Sequence, residues 1–96
     1  MYAAIRQGKA KPGSAEEVSR RVREGAVPII SSTPGFKAFY LVWAEDTVTT
    51  FSIFEDKASA DQSNARMLEW IKQNLAEFII SPVQASAGEV LVHQAG

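Results

Sequence analysis

The chain has 96 residues, 46% of them hydrophobic and 22% charged, which is the size and mix of one globular domain spanning 1–96 and too short for tandem domains. Ten Lys and Arg against eleven Asp and Glu give a net charge of −1, which offers no general attraction for nucleic acid or an anionic membrane. The absence of Cys excludes disulfides, thiolate nucleophiles, iron–sulfur clusters and Cys-based zinc sites, and His93 alone builds no multi-histidine cage, so no metal site is expected. Met1 to Arg6 meets a charge too early for a signal peptide or membrane span, which reads as a cytoplasmic chain.

Residues 2–11 read as a strand ended by Lys11-Pro12-Gly13, where Pro withholds an amide proton and Gly permits a turn. Ser14 and Glu17 have capping-box spacing, and Val18, Val22, Ala26 and Ile29/Ile30 recur at three- to four-residue intervals. A first amphipathic helix is therefore predicted from about residue 14 to 31. Pro28 clashes with the carbonyl four residues earlier, placing a kink or boundary near 24–28. After the loop Ser31 to Gly35, Phe36–Ala44 and Thr47–Glu55 carry strand-type residues around a tight turn at Glu45-Asp46, giving a hairpin. Asp56 or Ser59 caps a second helix over about 57–78, with Asp61, Asn64/Ala65, Leu68, Ile71/Lys72, Leu75 and Ile79 on its inner face and Pro82 as its stop. Val83 to Gln94 supplies the last strand, centred on Glu89 to His93.

The order β–α–β–β–α–β is the ferredoxin-like α+β pattern, two helices on one face of a four-stranded antiparallel sheet. Phe36, Ala38, Tyr40, Val42 and Ala44 alternate with Phe39, Leu41 and Trp43, so both sides of this strand are apolar. A second copy of the sheet is the natural cover for the open face, and a homodimer is predicted.

The strand closing on Lys11-Pro12-Gly13, the Thr33-Pro34-Gly35-Phe36 entry to the hairpin, the Phe54-Glu55-Asp56 exit and the helix that follows resemble the dimeric α/β-barrel superfamily. Within it the chain is similar to antibiotic-biosynthesis-monooxygenase-like domains. The resemblance implies two sheets packed face to face, a pocket in each subunit between sheet and helices, and chemistry ranging from cofactor-independent oxygenation of aromatic polyketides or quinols to haem degradation or no activity. Arg6 stands where haem-degrading relatives carry an Asn on the first strand, and the second helix has no His, which argues against haem. Asn64 and Trp70 are similar to the Asn and Trp that quinol-forming oxygenases place on their second helix.

Arg6 and Asn64 are the candidate catalytic residues. Asn64 shares the predicted inner face with Leu68, Ile71 and Leu75, where it lines a pocket or bonds backbone. Arg6, flanked on its face by Ala4 and Gly8, has room for an anionic ligand or for a partner such as Asp61. Tyr40 is placed on the helix side, as a ligand donor or a core aromatic, with Phe39, Leu41 and Trp43 on the opposite face as the dimer interface. Trp70 falls beside Met67, sealing a pocket mouth, meeting the partner subunit or standing half exposed, and His93 is either a surface residue or a general acid–base. Together these residues suggest a cofactor-independent monooxygenase-like homodimer binding a planar small molecule through Arg6 and Asn64, with Tyr40, Trp70, Met67 and His93 as further ligand contacts. The alternative is a non-catalytic dimeric small-molecule-binding or stress-response module of the same fold.

Overall fold

The computed structural model describes residues 1–96. In chain order it holds β1 (Tyr2–Lys9), α1 (Ala15–Arg21), a π-helical turn (Val22–Ala26), α2 (Val27–Ser31), β2 (Phe36–Ala44), β3 (Thr47–Phe54), α3 (Lys57–Asn74) and β4 (Gln84–Glu89). The strands form one antiparallel sheet in the order β2-β3-β1-β4, the ferredoxin-like α+β arrangement. No helix is long and apolar enough to cross a membrane.

The predicted bend of the first helix is the π turn. Pro28 sits in the first turn of α2, where its missing N–H costs least, and the looser turn before it takes up the mismatch. Ser14 and Glu17 do not form the expected capping box. The Ser14 hydroxyl donates to the Lys11 carbonyl at 2.6 Å, and the Glu17 carboxylate is taken by Arg20 and Arg21. Asp56 does cap α3, accepting the Ser59 N–H at 2.7 Å.

The second helix ends at Asn74 rather than near 78. The chain turns there so that the Lys11 N–H can donate to the Phe78 carbonyl at 2.8 Å and the Ile80 N–H to the Lys9 carbonyl at 2.9 Å. The last strand is likewise shorter than expected, because its ladder on β1 ends where the Val90 N–H meets the Met1 carbonyl at 2.9 Å. Leu91, Val92 and His93 lie beyond it and are exposed.

The core lies between sheet and helices. Phe54, Ile30, Met67 and Val18 are its large fully buried apolar side chains, and burying each stabilises the fold by roughly 1.5–3 kcal/mol. Ala4, Arg6 and Gly8 of β1 and Val48, Thr50, Ser52 and Phe54 of β3 all face the helices. The faces of β2 are the reverse of those expected. Phe36 pairs with Phe54 but Ala38 pairs with Ile53, an irregularity that inserts one residue and flips every side chain after it. Phe39, Leu41 and Trp43 consequently pack on the helix-side core, and Tyr40 and Val42 stand 57% and 49% exposed on the open face.

The inner face of α3 is also rotated from the predicted stripe. Ser59, Ala60, Ser63 and Met67 are its buried residues, with Ile71 half buried, whereas Asp61, Ala65 and Lys72 are exposed. The one-residue misphasing follows from the short side chains at 58–65, which leave hydrophobic periodicity little to register on.

Candidate functional site

Arg6 is a cation with 2% of its surface exposed, held at the centre of the helix-side face of the sheet. Alternation on β1 turns it inward, and Ala4 and Gly8 beside it leave the space its side chain fills. Its Nε donates to Thr50 Oγ1 at 2.8 Å, one Nη to Ser52 Oγ at 2.7 Å and the other to Asn64 Oδ1 at 3.1 Å. β3 provides the two hydroxyls and α3 the amide. Asn64 is fixed in turn by donating from Nδ2 to the Ser86 carbonyl of β4 at 2.9 Å. Four elements thus converge on one guanidinium.

All three acceptors are neutral. None of the six ion pairs of the chain includes Arg6, and Asp61 is engaged by Lys57 at 2.7 Å instead. A guanidinium carries five N–H donors, so two remain after these three bonds. Burial lowers the Arg6 pKa to about 10, which still leaves it charged at neutral pH. A buried charge without a counterion is costly, and its retention is a mark of a functional site rather than of stability.

Arg6 also forms part of the wall of a cavity of about 20 Å³ lined by Val18, Val22, Leu41, Val48, Met67 and Leu75 among others. Apolar atoms make up nearly all of that lining. The side chains around the guanidinium and the cavity include no Asp, Glu, His, Lys or Tyr. The arrangement can stabilise negative charge but contains no general base.

Of the expected ligand contacts, only Met67 lies here, as a fully buried wall of the cavity. Trp70 is half buried against the π turn, its indole so near Gly25 that a Cβ there would sit 2.8 Å from Trp70 Cζ2. Tyr40 is on the opposite face of the sheet, and His93 is in the exposed segment after β4. Neither approaches Arg6. Thr50 and Ser52 were not anticipated. Their signal lies in β3, where the inward set Val48, Thr50, Ser52, Phe54 places two hydroxyls where a closed core would carry aliphatic groups.

Comparison with solved structures places this geometry among proteins of the same fold. A protein of unknown function from Nitrosomonas europaea superposes with a TM-score of 0.76 at 21% identity, covering 99% of this chain and 93% of that one. A monooxygenase from the gene ActVA-Orf6 of Streptomyces coelicolor, solved with the ligand nanaomycin D, gives 0.74 at 14% identity over 99% and 91%. SnoaB, a cofactor-independent oxygenase from Streptomyces nogalater, gives 0.70 at 13% over 96% and 94%. No curated protein matches the sequence. At these identities the superpositions establish the fold alone. The sequence model of the antibiotic biosynthesis monooxygenase family matches residues 1–68, and the chain belongs to that family.

Proposed function

We propose that the chain is a single-domain, homodimeric, cofactor-independent monooxygenase-like protein acting on a planar small molecule that ionises to an oxygen- or carbon-centred anion. The observation that carries this reading is the buried, carboxylate-free Arg6 at the centre of a family fold. A guanidinium fixed by Thr50 and Ser52 is preorganised, so it stabilises developing negative charge without reorienting at the moment of reaction.

The absence of a base beside it narrows the substrate. A proton must leave to solvent, which suits an acidic phenol, quinol or hydroxyaromatic ketone whose anion is delocalised. In the overall change for such a substrate, a ring methylene and one dioxygen become a ring carbonyl and one water, with dioxygen as the oxidant and one of its atoms in each product. The surface offered to the substrate is the inner face of β1 and β4. There Ala85 and Ala87, aligned with Arg6 and Ala4, present only methyl groups beside the guanidinium. Docking requires α3 to move outward from β4, with the Asn64 amide exchanging its bond to Arg6 for one to the ligand.

The test is oxygen consumption with a panel of quinols and anthrone-like aromatics against a protein-free blank. Turnover above the blank that falls at least tenfold in both Arg6→Met and Asn64→Ala is the expected result. Full turnover in both variants removes these residues from the chemistry. Binding of the panel without oxygen uptake selects the non-catalytic ligand-binding module, a reading favoured by the missing base.

A further inference from the structure

We propose that the apolar cavity beside Arg6 is a binding site for molecular dioxygen. Its volume of about 20 Å³ is enough for one water or one diatomic molecule, and too little for a planar ring. A buried water needs two to four polar partners, and polar atoms, those of Arg6 and Thr50 included, contribute almost nothing to this lining, so water is a poor occupant. A small nonpolar gas needs no hydrogen bonds and gains dispersion contacts from the methyl groups around it.

The position of the cavity adds to its size and polarity. Arg6 belongs to its wall, while Asn64, which bonds the far side of the guanidinium, is outside it. The Arg6 side chain thus lies between a gas-sized space, which its methylene stem helps to line, and the methyl-lined surface of β1 and β4. An organic anion on that surface that gives one electron to dioxygen becomes a neutral radical, and the dioxygen becomes superoxide. The charge stays within the field of the one buried guanidinium throughout. Coupling of the two radicals forms one C–O bond as a peroxide anion, and uptake of one proton followed by loss of water gives the carbonyl product. The purpose of the site rests on the oxygenase reading, whereas its occupancy does not.

Methyl-resolved NMR of the wild-type protein under dissolved dioxygen tests occupancy directly through paramagnetic relaxation. The methyls of Val22, Val48, Met67 and Leu75 are expected to relax at least several-fold more strongly than that of Ile30, which is as deeply buried but is not part of the cavity wall. Val48→Ile, with Val22→Ile as a second filling variant should the first fail to fold, is expected to abolish the enhancement. Equal relaxation at Ile30 and at the cavity methyls, or an enhancement that survives filling, overturns the proposal. Cavity enrichment in a protein without oxygen uptake upholds the gas site and removes the oxygenase role. Turnover with no enrichment does the reverse. In an active enzyme, filling is expected to raise the KM for dioxygen at least fivefold while leaving that for the organic substrate within twofold.

Discussion

At the scale of single residues, the tension in this protein is concentrated in Arg6. Its three bonds are all to neutral groups, so each stabilises the fold modestly while the desolvated charge opposes it. Removing the cation relieves the desolvation but strands the Thr50 and Ser52 oxygens in the core. Arg6→Met is therefore expected to lower the stability to urea by about 1–3 kcal/mol, the range for buried polar groups left without partners. Combining it with Thr50→Val and Ser52→Ala replaces both sides of the network by apolar groups and is expected to recover at least half of that loss. A single variant as stable as the wild type would show that the hydroxyls do not depend on the guanidinium. The inward direction of Arg6 and its small neighbours were legible from alternation on β1. The absence of a carboxylate was not read, because Asp61 lies within one helical turn of Asn64, although its i,i+4 spacing to Lys57 was the local signal that it is engaged elsewhere.

At the scale of elements, the π turn and α3 meet at one contact. Gly25 lies where any side chain would collide with the Trp70 indole, since a Cβ would approach Cζ2 to 2.8 Å and Nε1 to 3.1 Å. Ala is ordinarily the better helix residue by about 0.5–1 kcal/mol. Here overpacking outweighs that gain, and Gly25→Ala is expected to destabilise the fold by about 1–2 kcal/mol in urea titration. In a Trp70→Leu background the same substitution is expected to be neutral or stabilising. An equal loss in both backgrounds would place the cost in the π turn itself. Pro28 announced a bend here, but the partner that fixes it, 45 positions along the chain, left no mark in local periodicity. The ends of α3 and β4 were hidden for a related reason. Both are set by backbone bonds to the two ends of β1, and hydrophobic pattern carries no information on which distant carbonyl a segment will reach.

At the scale of the whole molecule, the outer face of the sheet remains to be covered. The two-sided apolar character of β2 was plain in the sequence, but assigning its sides by strict alternation from Phe36 failed at a single inserted residue. Phe39, Leu41 and Trp43 belong to the core, and the face open to a second copy is built from Ile5, Phe51 and Ile53 at its centre with Tyr40 and Val42 beside them. A dimer is still expected, with its residues exchanged, because an apolar patch on a small chain is readily buried against its own copy. Light scattering at micromolar concentration is expected to give twice the 10.5 kDa chain mass for the wild type. Val42→Glu introduces two unpaired charges per dimer at a half-exposed position, so it is expected to yield a folded 10.5 kDa monomer. Phe39→Glu puts its charge into the packed core and is expected to unfold the protein instead. The pair separates interface from core: a folded Phe39→Glu monomer beside an unfolded Val42→Glu would mean that the inserted residue in β2 does not exist in solution, and that the two faces stand as simple alternation places them.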